Sequence, residues 1–570
     1  MRTSRLKSFL GYVAAIAVVL SVAGCGGGGG GSSGGGSSTG GGSGSGGPST
    51  TVSPSADGKL HAACSNCGAS SDSAYSGSGT GLWQAINAGT APVDVPVAIS
   101  GLSGNKLTYV FTNEGGNQAM PAIRASSSEM SAVSASLLPA SATRPGEDPK
   151  VSAIAQFNAK GWADLAASQW RGPWNSALVA ASAAPLRSVV TYNMGDTRSF
   201  YDSDYSQRLT NLRATAKTAD GTTVNVWVES SEWGTGKMTQ AIVDNLLSKY
   251  ASAGGVYDMV TSVGGKLYGP NDSSVMIDGT NQPIDLVVFN FNPDSKPYGM
   301  VGYFHGLNNF KKGSGQAAYS NESISQYLDS ETLYLGAAAG LQAMQTTMAH
   351  ESTHMQNFYR RAILMGSQYA YETWLEEMSA MMMEDWVSFN IDNTHNAVRD
   401  GRYLSYVGWQ GQGSYNCSLN VWTPMGTDCD SYSVAGTFGG FLNRQLGLNF
   451  YKALLTNKNK TASMDILNDV LNQFSAGMTV ALELRHMTAT VEGQIPLSAG
   501  FADYSFRQRA EGGFTLPQID PSALARNISA AVPGVLQGLA SFPVQRSSVS
   551  GTYQETVRVP PGTTLTVVVD

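Results

Sequence analysis

Apolar residues recur along this chain with two different spacings, one typical of strands and one typical of helices. Alternation of apolar and polar residues predicts half-buried strands, and continuous apolar runs predict strands that are buried on both faces. These patterns predict strands at residues 106–115, 223–230, 284–291, 300–304, 331–335 and 549–570. We therefore expect one β-rich region before the middle of the chain and another near residue 570.

Helical spacing predominates from Leu335 to about Leu497, and shorter helical stretches are predicted at residues 153–170 and 237–251. The stretch Leu335–Leu364 contains no proline and has glycines only near its start, so it predicts one long helix. Its apolar stripe consists of Leu341, Met344, Met348, Met355 and Phe358. The next stretch, Tyr371–Phe389, predicts a second helix that is largely buried.

The first long helix carries His350, Glu351 and His354 in the arrangement HExxH. Positions i and i+4 lie about 40° apart around a helix axis, so both histidines point to one side, away from the apolar stripe. They can bind one Zn²⁺, which lowers the pKa of a water in its open position towards about 7. Glu351 would accept a proton from that water and pass it to the leaving amine. The motif predicts one zinc ion per chain and a hydrolytic reaction.

A zinc site of this kind needs a third protein ligand. The continuation HExxHxxGxxH is excluded, because Asn357 and Arg360 stand where that pattern has glycine and histidine. A glutamate on the second helix is the better candidate. On the residues alone, Glu372, Glu376 and Glu377 all compete for this role.

The second helix contains the phrase WLEEMSA, at Trp374–Ala380, which resembles the W-L-N-E-G-x-A phrase of glutamate-ligand zinc peptidases. The chain resembles hyicolysin-type metallopeptidases, a family of the gluzincin group, and the resemblance implies that Glu377 is the third ligand. Glu384 shares its helix face and could orient a ligand histidine. The phrase departs from the family at Glu376, where asparagine is usual, and at Met378, where glycine is usual.

The same resemblance implies a fold and a further site residue. The segment Ser431–Gly447 is similar to a helix that carries an oxyanion-stabilising tyrosine, and Tyr432 is the matching position, with Tyr415 in reserve. The implied fold class is α+β and multidomain. It has a thermolysin-like zinc protease core, with a mixed α/β upper lobe and a helical lower lobe, flanked by β-rich accessory domains. An edge strand would bind the peptide, at residues 300–304 or 331–335.

The first residues of the chain predict export. Three basic residues within the first seven precede the apolar stretch FLGYVAAIAVVLSVAG, which is short for a membrane span. The phrase Val22-Ala23-Gly24-Cys25 resembles the lipobox of bacterial lipoproteins, in which the cysteine carries the lipid. Gly26 follows, where aspartate would signal retention in the inner membrane, so the resemblance implies an outer-membrane anchor. An ordinary signal peptide and an uncleaved anchor are the alternatives.

Cysteine pairing agrees with an exported chain. If Cys25 is lipidated, the remaining cysteines form two local pairs, Cys64 with Cys67 and Cys417 with Cys429, which predict disulfides. The second pair would close a loop of about 13 residues and stabilise the fold by about 3 kcal/mol. A redox or zinc site at Cys64 and Cys67 is the alternative for the first pair, but no second ligand pair accompanies it.

Composition, spacing and resemblance together predict five regions. They are a lipoprotein signal peptide (1–24), a Gly/Ser-rich tether (25–80), a β-rich accessory domain (81–197), a zinc metallopeptidase domain (198–500) and a small β-rich C-terminal region (501–570). Only 14% of residues are charged and the formal net charge is −7, so the chain lacks the basic excess of a nucleic-acid binder. We expect a monomer.

The favoured function is a zinc endopeptidase that acts on protein or peptide substrates and is held at the bilayer through Cys25. The alternative is a surface adhesin or binding lipoprotein with an inactive protease fold, against which the intact Glu351 argues. A third hypothesis keeps the zinc but directs it to a peptidoglycan cross-link or a free N-terminus. An aminopeptidase needs an acidic cluster to hold the substrate amine, and the sequence shows no such motif.

Overall fold

The computed structural model describes residues 49–124, 149–169, 191–408, 412–423, 429–528 and 531–570. Cys25 and the predicted signal peptide lie outside these residues. The strands are β1 (Thr50–Thr51), β2 (His61–Ala62), β3 (Cys64–Ser65), β4 (Ala69–Ser71), β5 (Ala74–Tyr75), β6 (Gly81–Asn87), β7 (Val93–Asn113), β8 (Gln118–Ala119), β9 (Thr197–Tyr201), β10 (Gln207–Lys217), β11 (Thr223–Glu229), β12 (Ile284–Phe289), β13 (Gly302–Phe304), β14 (Ile324–Asp329), β15 (Arg509–Glu511), β16 (Phe514–Leu516), β17 (Val535–Leu536), β18 (Ala540–Val559) and β19 (Thr563–Val569).

The α-helices of the described residues are α1 (Pro149–Gln156), α2 (Trp162–Gln169), α3 (Gln240–Ala251), α4 (Val256–Gly264), α5 (Ser330–Leu335), α6 (Ala337–Asn357), α7 (Thr373–Ile391), α8 (Tyr403–Val407), α9 (Ser431–Leu446), α10 (Leu448–Thr456), α11 (Ser463–Phe474) and α12 (Val480–Gly493). Stretches of π-helix lie at Phe157–Gly161, Phe358–Ile363 and Val398–Arg402.

The fold is mixed α/β, as the sequence predicts, while the division into thermolysin-like lobes stays a prediction. Among the described helices, none combines the length and the apolar character that crossing a bilayer requires.

A six-stranded mixed sheet supports the middle of the chain, in the order β13-β14-β12-β11-β10-β9. Strand β12 lies parallel to both β11 and β14 near the centre, and all six of its residues are buried. Its alternate side chains enter two separate hydrophobic clusters, with Leu286 on one face and Val287 on the other. Burial on both faces explains why this strand is apolar throughout rather than alternating.

Strand β13 forms one edge of that sheet and pairs antiparallel with β14. It corresponds to the predicted strand at residues 300–304. A Cβ atom at Gly302 would lie 2.5 Å from the Thr347 side chain of α6. The glycine therefore lets this edge strand lie directly on α6, one turn before His350.

The predicted strand at residues 331–335 is wrong, because those residues belong to helix α5. Asp329, the last residue of β14, caps the helix by accepting hydrogen bonds from the Thr332 backbone N–H and hydroxyl, both at 2.7 Å. This cap satisfies donors at the helix N-terminus and outweighs the strand preference of the threonine and tyrosine that follow. Of the two proposed edge strands, only residues 302–304 form one.

A second sheet joins segments that are far apart in sequence. Strand β19 lies between β6 and β7, and β18 pairs antiparallel with β7 along most of its length. Helix α12 packs on this sheet, where Arg485 binds the Glu114 carboxylate through two contacts of 2.7 Å. The two β-rich regions that the sequence predicts, around β7 and around β19, thus share one sheet.

The segment predicted as tether contains structure in its described part. Strands β1 to β5 lie between Thr50 and Tyr75, and β2 pairs with β6 of the second sheet. The predicted disulfide between Cys64 and Cys67 is present here, and the one between Cys417 and Cys429 is also present. Residues 50–75 therefore belong with the folded part of the chain.

Candidate metal centre

Two packed helices bring the predicted zinc ligands together. Helix α6 carries His350, Glu351 and His354, and α7 carries Glu377, which is 6% exposed. Ala380, one turn after Glu377, is fully buried, in keeping with close packing of the two helices. The face of α6 that carries Met344, Met348 and Met355 is buried in the hydrophobic core instead.

Three ligand atoms converge on one point. The Nε2 atoms of His350 and His354 are 2.9 Å apart, and the Glu377 Oε2 atom lies 3.1 Å and 3.7 Å from them respectively. Ligands bound tetrahedrally to zinc at about 2.0–2.1 Å are separated by about 3.3 Å, so these spacings fit a zinc ion. Within the described residues, these three are the one group of histidine, cysteine and acidic side chains arranged to hold a metal ion.

Each ligand histidine is held by a second carboxylate on α7. The His350 Nδ1 atom lies 2.6 Å from Glu384 Oε1, and the His354 Nδ1 atom lies 2.9 Å from Glu376 Oε1. With Nδ1–H donating to these carboxylates, both rings present Nε2 to the metal position. The role expected for Glu384 agrees with this contact. Glu376, one of the competing ligand candidates, contacts the outer nitrogen of His354 instead.

Further polar side chains hold these two carboxylates. The Arg402 guanidinium donates to both oxygens of Glu384, at 2.9 Å and 3.1 Å, and the Asn357 amide donates to Glu376 at 3.0 Å. Sequence reasoning missed Arg402, because no motif links it to a residue 18 positions earlier. It also missed the role of Glu376. The family phrase could have indicated this role. Its usual residue at this position is asparagine, which is also a hydrogen-bond acceptor.

The electrostatics of the site favour a bound cation. Burial and the nearby His354 lower the pKa of His350, but hydrogen bonds to Glu377 and Glu384 outweigh them and raise it to about 9. Burial raises the pKa of Glu377, but the two histidines hold it well below its ordinary value. The ionised carboxylates thus stabilise positive charge on the imidazoles, and a metal ion that binds here takes the place of protons on the two Nε2 atoms.

Glu351 has the surroundings of a general base. Its side chain is 6% exposed, and burial raises its pKa, with the charges of His350 and His354 acting in the opposite direction. The backbone of Phe304, at the end of β13, is close enough to the carboxylate to lower this pKa slightly. Glu351 therefore lies between the ligand cluster and the edge strand.

The two tyrosine candidates have different surroundings. Tyr432 lies in the first turn of α9, and the Arg402 guanidinium lies 5.4 Å from the centre of its ring. Tyr415 is buried, and its hydroxyl donates to the Val407 carbonyl at 3.2 Å. These contacts connect Tyr432 to the metal centre through Arg402 and Glu384, whereas the Tyr415 hydroxyl is used within the fold. The oxyanion role of Tyr432 stays a prediction.

Comparison with known protein families agrees with this site. A family model described as Peptidase M30 matches residues 204–570, which include all three ligand residues and Glu351. A second model, described as a domain of unknown function (DUF8571), matches residues 62–125. A search of curated proteins found no significant match.

Proposed function

The chain belongs to the peptidase M30 family, and from this premise we propose that it is a zinc endopeptidase that cleaves protein or peptide substrates. The main support is that the ligand atoms of His350, His354 and Glu377 converge on one point beside the buried Glu351. Zn²⁺ held by these three residues would lower the pKa of a bound water and polarise the carbonyl of the bond to be cleaved.

The side chains of the site have distinct tasks in this reaction. Glu351 accepts the proton of the attacking water and delivers it to the nitrogen of the leaving group. Glu384 and Glu376 fix the orientation of the two histidines, which keeps both Nε2 atoms directed at the metal position. We assign to Tyr432 the donation of a hydrogen bond to the developing oxyanion.

The edge strand β13 provides a place for the substrate backbone. Phe304 lies opposite Gln326 of β14, and its C=O accepts a hydrogen bond from the Asn158 side chain, which is outside the sheet. Its backbone polar groups thus point to the free edge, where an extended peptide can pair as an additional strand. A peptide bound along this edge would pass close to Glu351, which favours cleavage within a chain.

We further propose that the enzyme is exported and anchored through a lipid on Cys25, at the bacterial outer membrane. The support is in the sequence, where a short apolar stretch ends in the lipobox-like phrase at Cys25 and a Gly/Ser-rich stretch follows. A coil of about 30 residues reaches roughly 30 Å, enough to hold the enzyme off the bilayer. Metabolic labelling with palmitate, compared between the native chain and Cys25→Ala, tests the anchor.

The test of the enzyme compares the native chain with Glu351→Gln. We expect one zinc per chain in both proteins, and cleavage of casein that falls by about 100- to 10,000-fold in the variant. Glu372→Gln is the matched control, because Glu372 is an exposed glutamate immediately before α7 and its substitution should leave activity unchanged. Substoichiometric zinc in both proteins, or cleavage that the Glu351 substitution does not affect, would contradict the proposal.

A further inference from the structure

The segment from Pro149 to Gln169, which we call the covering segment, lies against the peptide-binding edge. It consists of α1, the π-helical stretch and α2, and it precedes the residues matched by the peptidase family model. It contacts Phe304 at the end of β13 and Phe358 in the π-helical stretch that follows α6. Its position raises the question of how a substrate reaches that edge.

Asn158, in the π-helical stretch, makes the central contact. Its side-chain amide donates to the Phe304 carbonyl at 2.8 Å and accepts from the Gly306 N–H at 2.8 Å. Residues i and i+2 of an edge strand offer this same pair of groups to a neighbouring strand. Asn158 thus makes the hydrogen bonds that the backbone of an added peptide would make.

Aromatic side chains hold the covering segment on both sides of Asn158. The Phe157 ring meets the His305 ring edge to face at 4.9 Å, and the Trp162 ring meets the Phe358 ring at 5.4 Å. Both Phe157 and Trp162 are buried. Such ring pairs attract each other in addition to burying apolar area, so hydrogen bonds of Asn158 are not the whole of the contact.

The covering segment also reaches the metal centre. Asn158 and Ala159 line a cavity of about 20 Å³ together with His354 and Arg361. Among the described residues, the buried Arg361 Nη2 and Asn357 Oδ1 atoms at this cavity have no hydrogen-bond partner. The covering segment therefore lines the space beside His354.

We propose that residues 149–169 are an autoinhibitory segment that occupies the peptide-binding edge, and this inference rests on the proposed peptidase function. A substrate strand and Asn158 need the same two backbone groups, Phe304 C=O and Gly306 N–H, so they exclude each other. The native chain cleaves peptides only in the fraction of molecules in which the covering segment has moved away. Its apparent substrate affinity is reduced by that fraction.

The test measures kcat and KM on a fluorogenic peptide for the full chain and three variants. Asn158→Ala removes two hydrogen bonds, and Trp162→Ala removes the packing on Phe358. We expect each to raise kcat/KM about tenfold, mainly through a lower KM, because each weakens a contact that competes with the substrate. Lys160→Ala is the matched control, since this residue is exposed on the same segment.

Zinc content separates failure of this inference from failure of the proposed function. Full zinc in all four proteins, with kcat/KM unchanged or lowered in both Asn158→Ala and Trp162→Ala, would overturn autoinhibition while leaving a measurable native peptidase in place. Full zinc without cleavage by any of the proteins would overturn it too, and would favour a binding lipoprotein. Absence of zinc from the native chain would overturn the proposed function itself.

Discussion

The metal centre and the second sheet are built from the chain in opposite ways. The contact between His350 and Glu384 joins residues 34 positions apart. All three predicted ligands lie within this span of sequence. The hydrogen bond between Thr564 and Glu114 joins residues 450 positions apart. The site is therefore a local product of two consecutive helices, whereas the sheet depends on nearly the whole described chain.

This difference predicts that zinc binding and activity can be changed without changing the stability of the second sheet, and that the reverse is also possible. Substitutions in the helix pair should change zinc binding and activity with little effect on the sheet. Substitutions in the sheet should change stability while the ligand residues keep their positions. Each of the following experiments tests one side of that separation.

The largest effect is expected from loss of a ligand. Glu377→Ala should weaken zinc binding on the order of a hundred- to a thousandfold, because each ligand of a tightly held zinc contributes about 3 kcal/mol. Zinc affinity is measured by competition with a chelator. Glu372→Ala, at the exposed residue immediately before the same helix, should leave that affinity unchanged. If Glu377→Ala keeps full zinc, the third ligand is a different residue.

A substitution in the shared sheet comes next. Leu565 is fully buried in β19, so Leu565→Ala should lower the free energy of unfolding by about 2–5 kcal/mol. Chemical unfolding followed by circular dichroism measures this change. Val535→Ala, at an exposed position in β17, should change it by less than about 0.5 kcal/mol. Zinc lost from Leu565→Ala under native conditions would show that the two regions are not separable.

Substitution of the carboxylates that contact the histidine Nδ1 atoms should weaken zinc binding less than substitution of the ligand Glu377. Glu384→Gln should weaken zinc binding by about 10- to 100-fold, because the amide cannot replace the charge that orients His350 and binds Arg402. Glu376→Gln should have an effect in the same range through His354. Chelator competition with both variants checks this. An unchanged affinity in both would mean that helix packing alone orients the histidines.

The smallest effect concerns acid sensitivity at the edge strand. Burial lowers the pKa of His305 to about 4, whereas an unfolded histidine titrates near about 6.5. Between these values the unfolded chain binds more protons, so the stability present above pH 6.5 is lost as the pH falls towards 4. The loss from this group is about 1–3 kcal/mol. Thermal unfolding at pH 7.5 and pH 4.5 should show a smaller pH dependence for His305→Gln than for the native chain.

The parts of the molecule that sequence alone predicts are those with local causes. The HExxH spacing fixed the orientation of two ligands on one helix, and the WLEEMSA phrase directed the choice to Glu377. Both disulfides join cysteines that are close in sequence. The continuous apolar run of β12 indicated a strand buried on both faces. In each case, the residues that give the signal are at most 12 positions apart.

The remaining features depend on contacts that no local pattern encodes. Asn158 meets Phe304 across 146 positions, and nothing near either residue indicates the contact. The error at residues 331–335 has a different cause. Asp329 is an N-cap residue type placed directly before helix α5, and its cap outweighs the strand preference of the residues that follow.

The interleaving of β19 between β6 and β7 has a consequence for biosynthesis. At about 5–20 residues per second, the 450 residues between Glu114 and Thr564 take roughly 20–90 s to synthesise. During that interval β6 and β7 exist without the strand that later separates them, and their unpaired edges are open to wrong partners. A nascent chain at this stage exposes two strand edges that become paired only after β19 has been made.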